Sequence, residues 1–346
     1  MHKGLILKNK AIISILLCSF ALSSLEIRTP GDINNDGVVN ILDVIELVNI
    51  ILDDSAYLNE ADLNSDGIIN IVDVIATVNI VLYDTEPNEN AFGSNQSFDL
   101  LTWNIENFPK NNNTIDELTD IIPDLEVDVI ALQEIESTQS LESLKENLGN
   151  NWVFYRSDDD SNYGTLSYLI NLNEVQINQA PYTILSQYDY QFAWRRPYVL
   201  DITHNNTNYI IINIHYKCCD GSENRRLQAS EALESYISSY LSNDKVIVLG
   251  DFNDLLIDQF NVFDPFLDEP NNYYFTDIEI ASGSPAYWSF PGWPSHLDHI
   301  LITNELFDFS YDTQTLLIDE VFFPNNQSYY DFYISDHRPV GIRFQN

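Results

Sequence analysis

The stretch Val246-Ile247-Val248-Leu249-Gly250-Asp251-Phe252-Asn253-Asp254 restricts the fold of this chain more than any other. Four consecutive apolar residues, three of them β-branched, suit a strand covered on both faces. The run then stops at glycine and passes to an acid, an aromatic, an amide and another acid. That puts polar chemistry at a carboxyl strand end, where open α/β sheets carry their sites. Asp251 offers oxygen to a hard cation, and the Asn253 amide can donate to an anionic oxygen beside it. A Gly-Asp turn ends many strands, so the reading depends on other strand ends supplying matching groups.

They do. From Phe98 onward strands alternate with helical stretches. Residues 98–103 form a strand that ends at Asn104, and 114–125 a helix with Thr114 as N-cap and Glu117 three residues on. Residues 127–133 end at Glu134, and 209–214 end at His215. A helix over 222–241 leads into the strand at Val246, and 295–302 alternates so that Asp298, Ile300 and Ile302 share one face. Asp336 and His337 open a last strand, 338–344. His299 is expected on the opposite face from Asp298, in a structural role, and Asp254 as a cap.

Six segments follow in order: Trp-Asn-Ile-Glu-Asn-Phe at 103–108, Leu-Gln-Glu-Ile at 132–135, Asn-Ile-His at 213–215, Gly-Asp-Phe-Asn at 250–253, Leu-Asp-His-Ile-Leu at 297–301 and Ser-Asp-His-Arg-Pro-Val at 335–340. This resembles the endonuclease/exonuclease/phosphatase superfamily, which includes pancreatic-type DNases, abasic-site endonucleases, neutral sphingomyelinases and inositol-polyphosphate phosphatases. The resemblance covers 98–346 and implies an α/β fold, a four-layer sandwich of two packed β-sheets flanked by helices. It also implies phosphate ester hydrolysis with Mg²⁺ or Mn²⁺, in which a water attacks, developing charge is neutralised and the leaving oxygen is assisted. Glu134 would bind the metal, with Asn104 and Asp336 beside it. Asp251 and Asn253 would position the water and the phosphate. His337, oriented by Asp298, and His215 on the other side would contact phosphate or move protons; which is acid and which base stays open. Tyr163 and Arg196 resemble phosphate-contacting residues of DNase-like members. In one respect the chain departs from them: Thr165-Leu166-Ser167 stands where a glutamate supports the first histidine, so His215 lacks that partner.

The amino-terminal part carries a repeat. Asp32, Asn34, Asp36, Asn40 and Asp43 recur 30 residues later as Asp62, Asn64, Asp66, Asn70 and Asp73. Oxygen side chains at positions 1, 3, 5, 9 and 12, with glycine at 6, make two Ca²⁺ loops that carry aspartate where an EF-hand has glutamate. Apolar helices follow at 41–52 and 71–82, whereas Pro30 and Gly31 exclude one before the first loop. The pattern, over 31–83, resembles a type I dockerin, which implies a cohesin-bearing scaffold as partner and folding coupled to Ca²⁺. Residues 84–97 have little to bury and are expected as a linker.

Residues 1–24 combine a basic start, an apolar stretch over 11–22 and small residues at the end, the pattern of a secretory signal peptide. The stretch is short for a membrane anchor. Export permits disulfides, and the only mature cysteines are Cys218 and Cys219. A vicinal bridge is favoured there over two free thiols or bonds to another chain. No Cys-x-x-Cys pair points to zinc.

A net charge of −38 sets the average surface against nucleic acid and anionic membranes, and fits a saline habitat. Yet five of the 15 Lys and Arg residues fall between Arg195 and Arg226. The chain is therefore expected to be a secreted, Mg²⁺-dependent phosphoesterase, first a nuclease. A phosphatase or sphingomyelinase-type phospholipase keeps the reaction and changes the substrate; a non-catalytic cohesin-binding subunit is the reading from another class. Glycosidase chemistry has no place for the histidines and asparagines.

Overall fold

The computed structural model of the chain describes residues 30–36, 39–52, 58–64, 67–83, 90–157, 165–324 and 326–345. The expected signal peptide, 1–24, and the site candidates Asp66 and Tyr163 lie outside them. The chain divides into two units, Met1–Pro87 and Asn88–Asn346. No helix among the described residues is long and apolar enough to cross a membrane.

In the first unit, helices α1 (Ile41–Leu52) and α2 (Ile71–Tyr83) follow the two Asp/Asn loops. They close a small core of Ile33, Val44, Leu47, Ala61 and Val74. The aspartate at position 12 ties each loop to its helix. Asp43 Oδ1 accepts the Ile33 and Asn34 N–H groups, and Oδ2 that of Asn40. Asp73 repeats this with Leu63, Asn64 and Asn70. A carboxylate is favoured there because helix N-termini carry orphan N–H groups and the positive end of the dipole. Asp32 and Asn34 both accept the Asp36 N–H, and Asp62 accepts that of Gly67.

The second unit holds two sheets. Their strands are β1 (Ser97–Phe108), β2 (Val129–Ile135), β3 (Trp152–Arg156), β4 (Thr165–Asn171), β5 (Gln176–Thr183), β6 (Tyr198–His204), β7 (Thr207–His215), β8 (Val246–Asp251), β9 (Tyr273–Phe275), β10 (Asp298–Thr303), β11 (Tyr311–Thr315) and β12 (Val340–Gln345). One sheet has the order β11-β12-β1-β2-β4-β3, the other β5-β6-β7-β8-β10-β9. β1 and β2 pair in parallel, as do β7 and β8. Their carboxyl ends therefore deliver Asn104, Glu134, His215 and Asp251. β10, antiparallel to β8, begins with Asp298 opposite Asp251.

Alternation explains why the central strands are apolar throughout. Ile247 and Leu249 face the core between the sheets, with Leu100, Val129, Ile211 and Ile300. Val246 and Val248 face outward to Ala229, Leu233 and Ile237 of helix α5 (Glu223–Tyr240 once α3, Thr114–Asp124, and α4, Thr138–Leu148, are counted). On the other side Leu101, Trp103 and Ile130 pack on Leu118, Ile121 and Leu141 of α3 and α4. The result is the four-layer α/β/β/α sandwich, in which both faces of each sheet are buried.

A polar clamp crosses the inter-sheet core. Gln133 Nε2 donates to Asn213 Oδ1 at 2.8 Å, and Asn213 Nδ2 donates to the carbonyls of Leu132 and Ser167 at 3.0 Å each. The Tyr168 hydroxyl, on β4, donates to the Tyr198 and Ile211 carbonyls and accepts the Asn213 N–H. Gln133 precedes Glu134, and Asn213 stands two residues before His215, so the clamp fixes one sheet's rim against the other.

Three local expectations give way. Thr114 begins α3 instead of capping it, because its hydroxyl donates to the Tyr333 carbonyl and accepts the Asn111 N–H. The first strand runs on to Phe108, past the expected end at 103. Residues 90–96, drawn as linker from composition, pack on the second unit: Phe92 is buried, and the N–H groups of Phe92 and Gly93 donate to the Leu125 carbonyl.

Replacing Asn213 by Leu removes the shortest of the Gln133 amide's bonds, the one between the sheets, and the side-chain donor to the Leu132 and Ser167 carbonyls in the core. A loss of about 3 kcal/mol is expected, which lowers Tm by roughly 6–12 °C in a domain of this size. Thermal denaturation measures it, and an unchanged Tm would show that the clamp contributes nothing.

Candidate active site

The strand ends enclose a cleft of about 650 Å³, lined among others by Glu134, His215, Asp251, Asn253, Asp336 and His337. Asn104 and Asp298 stand directly behind this lining. The Asn104 amide nitrogen donates to Glu134 Oε1 at 3.2 Å and to Asp251 Oδ2 at 3.1 Å, bridging acids from the two sheets. Its oxygen accepts the Glu106 N–H at 3.0 Å, so the NH₂ group faces the carboxylates. Glu134 Oε2 accepts the Asn107 N–H at 3.1 Å. Glu134 and Asn253 both have positive φ, 62° and 53°. Non-glycine residues avoid that region unless surroundings hold them there, as often happens at functional sites.

Two imidazoles approach from different elements. His337 Nδ1 lies 2.7 Å from Asp298 Oδ2, and its ring packs on Phe290, tilted by 46° at a centroid distance of 4.9 Å. Its Nε2 is 3.9 Å from Asp336 and 4.0 Å from Asp251. Burial works against charge on this ring, but the carboxylates of Asp298, Asp251 and Asp336 outweigh it and push His337 up to about 10. His215 Nε2 is 3.4 Å from Asp251 Oδ2 and 4.0 Å from Glu134 Oε1. Burial, reinforced by Arg195, His337 and Lys217, holds His215 well below the usual histidine range. Its Nδ1 is buried without a partner, where the sequence offers no supporting glutamate.

Asp251 is raised chiefly by burial, and so is Asp336, with Glu106 adding to the latter. Glu134, Asp251 and Asp336 thus bring three carboxylates into one cleft, a donor set that suits a hard divalent cation. Ser335 Oγ donates to the Asn104 carbonyl at 2.6 Å and accepts the His337 N–H, so the Ser-Asp-His segment is latched to β1.

The sequence profile of the Endonuclease/Exonuclease/phosphatase family matches residues 101–337. The chain belongs to this family. Residues 30–81 match the type I dockerin domain. Members of the endonuclease/exonuclease/phosphatase family are phosphoester hydrolases, typically dependent on divalent metal. Solved structures share the fold. D. rerio TDP2 complexed with single-strand DNA product aligns at 13% identity and TM-score 0.57, over 72% of this chain and 99% of that one. The catalytic domain of human Nocturnin with bound sulfate aligns at 15% and 0.54, over 72% and 94%. A mannosyl-6-phosphatase of Bacteroides thetaiotaomicron VPI-5482 aligns at 14% and 0.51, over 72% and 100%. A comparison with curated proteins gives no significant match.

For a phosphoester hydrolase of this family the basic residues are not all where the sequence alone would put them. Arg196 does not line the cleft; its guanidinium forks onto Asp189, at 2.6 and 2.8 Å. Arg195 lines the cleft instead, anchored by bonds from Nε to the His215 carbonyl and from Nη2 to that of Tyr216. Two adjacent arginines look alike in sequence, and only the turn before β6 decides which points inward. Cys218 and Cys219 are free thiols, so the vicinal bridge favoured from sequence is not formed. Lys217 Nζ donates to Cys218 Sγ at 3.2 Å, and Arg226 holds the Cys219 carbonyl. His299 points away from the cleft, to Asp277 and the Asp254 carbonyl, and Asp254 pairs with Arg226. Gln133, Asn213 and Ser335 are the residues that motif reading passed over, although all three stand inside the quoted motifs.

Arg195→Ala is expected to lower kcat/KM for a small phosphodiester, bis(p-nitrophenyl) phosphate, at least tenfold, and Arg196→Ala to change it less than threefold. Equal losses from both would contradict this placement of the two side chains.

Proposed function

We propose that this chain is a secreted nuclease, active with Mg²⁺ or Mn²⁺ on extracellular nucleic acid and attached to a cohesin-bearing scaffold through its dockerin. The observation that carries the nuclease reading is one of charge. A chain with a net charge of −38 gathers Arg195, Lys217 and Arg226 at a single cleft, beside the acids and imidazoles. A polyanionic substrate suits that arrangement, because short-range cations and metal offset the long-range repulsion.

Glu134 and Asp336 would hold the divalent ion, with Asn104 orienting Glu134. Bound there, the ion supplies Lewis-acid neutralisation of charge on phosphoryl oxygen. Asp251, fixed by Asn104 and by the Asn253 N–H, positions the attacking water, and the Asn253 amide faces the phosphate. His337, kept cationic by Asp298, donates from Nε2 to a phosphate oxygen as charge develops. His215, held neutral by burial, turns its Nε2 toward Asp251 on the far side of an in-line displacement, where it can exchange a proton.

The dockerin reading is supported by a duplicated surface. Ile41, Leu42 and Ile45 of α1 are exposed, and so are Ile71, Val72 and Ile75 at the matching positions of α2. Asp32, Asn34, Asp36, Asn40 and Asp43, with Asp62, Asn64, Asp66, Asn70 and Asp73, would hold Ca²⁺. The basic, apolar, small-residue pattern of 1–24 supports secretion. One feature favours a second reading, a phosphatase or sphingomyelinase on the same fold: the His215 Nδ1 without a partner departs from the DNase-like pattern.

A panel of plasmid, RNA, sphingomyelin, inositol phosphates and p-nitrophenyl phosphate decides between them. Plasmid or RNA should be degraded with Mg²⁺ and spared with EDTA, and Glu134→Gln and His337→Ala should each lose 100-fold or more in kcat. Release of phosphocholine or inorganic phosphate with plasmid intact transfers the reading to the alternative; identical trace turnover by wild type and both variants ends the enzyme reading altogether.

Asp43→Ala combined with Asp73→Ala should abolish the Ca²⁺-dependent gain in circular dichroism of the isolated 25–87 segment and its cohesin binding. Retention of both would remove Ca²⁺ from the account of this module.

A further inference from the structure

The positive charge of this acidic chain extends past the catalytic cleft. Arg195 and Arg226 line the cleft, and their neighbours in sequence, Trp194 and Arg225, meet beside it. The Arg225 guanidinium lies 4.1 Å from the centre of the Tyr190 ring and 5.5 Å from that of Trp194. Its Nε donates to the Tyr190 carbonyl. The two rings stand edge to face at 6.1 Å and 88°. Yet Tyr190 is 58% and Trp194 52% exposed, so neither ring serves a core.

Holding the rings in water is costly. Ala193 and Trp194 adopt φ of 53° and 62°, in the left-handed region that side chains disfavour. Arg225 Nη2 is sealed from water with no acceptor, a buried donor left unmade. The turn persists because it is tied down: the Trp194 N–H donates to the Asp189 carbonyl at 2.7 Å, and the Asp189 carboxylate is gripped by Arg196. Arg196 thus acts on this turn and not on the cleft. A strained turn that holds two exposed aromatic rings, and a guanidinium on one of them, beside the catalytic cleft suits a planar ligand.

We propose that Tyr190, Trp194 and Arg225 form a stacking platform for a base of single-stranded nucleic acid whose scissile phosphate lies in the adjacent cleft. This rests on the nuclease reading above and narrows it. A base has a π-face whatever its sequence, so stacking on an exposed aromatic ring tolerates sequence, and the guanidinium over the Tyr190 ring adds a cation–π contribution. Bases in a duplex keep their faces covered by their neighbours, which is why the strand must be single. Arg195 and Lys217, which line the cleft, then meet the backbone phosphates flanking that base, while Arg226 holds the Lys217 and Cys219 carbonyls behind them. A neutral glycan, which also stacks on tryptophan, gives these cations nothing to bind.

The test compares wild type with Trp194→Ala, Trp194→Phe and Arg225→Ala on a single-stranded oligodeoxynucleotide and on a base-free small diester, ethyl p-nitrophenyl phosphate, with Mg²⁺. Trp194→Ala is expected to raise KM for the oligonucleotide about tenfold relative to the small diester, as one lost base stack implies. Arg225→Ala should move the same ratio in the same direction, and Trp194→Phe, which keeps a π-face, should restore most of it. The Glu134→Gln protein titrated with the oligonucleotide should show Trp fluorescence quenching that Trp194→Ala abolishes. If wild type cleaves the oligonucleotide and neither the KM ratio nor the quenching changes in Trp194→Ala, the platform is overturned while the nuclease reading stands. If wild type leaves the oligonucleotide intact but hydrolyses another phosphoester, the nuclease reading itself falls. A ratio shift confined to a phosphorylated oligosaccharide would also overturn the proposal.

Discussion

Everything in the second unit depends on keeping two sheets in register across a dry interface. Apolar packing alone is non-directional and tolerates slippage. The bond from Gln133 to Asn213, with the Tyr168 hydroxyl bound to two carbonyls of the other sheet, is directional and is buried on all sides. In a low dielectric each unpaired member is expensive, so only one relative position of the sheets satisfies them all. That position brings Glu134 on β2 and Asp251 on β8 to opposite sides of one Asn104 amide group.

Once the rims are fixed, electrostatics follows from crowding. Several carboxylates share a cleft with two imidazoles, and burial penalises charge on Asp251, Asp336 and both rings. The groups divide according to their nearest partner. His337 has Asp298 at 2.7 Å and stays cationic in spite of its burial. His215 has no partner at Nδ1, sits among cations, and is neutral. Two rings of the same residue type, both within 4.0 Å of Asp251, therefore differ in charge, one cationic and one neutral.

Much of this was legible in the chain. The continuous apolar run at 246–249 signalled a strand buried on both faces, and a helix lies on the outside of its sheet as that requires. The eight strand-end candidates, Asn104, Glu134, His215, Asp251, Asn253, Asp298, Asp336 and His337, all come to one cleft or the layer directly behind it. What misled was local identity without direction. Arg195 and Arg196 are indistinguishable in a string, whereas the turn that ends at Trp194 sends one inward and the other to Asp189. Thr114 had the composition of a cap, but a more distant acceptor, the Tyr333 carbonyl, claimed its hydroxyl.

The amino-acid order by itself determined the division into a loop–helix repeat and an α/β unit, the residue types of the site, and the strand ends that carry them. Those are matters of period, spacing and composition, which act over a few residues and survive in one dimension. Tertiary structure alone decided which arginine faces the cleft, which histidine is charged, and that Tyr190 and Trp194 are held open to water around Arg225. Each of these depends on groups far apart in sequence meeting at a few ångströms, where direction and desolvation, and not residue type, set the energy.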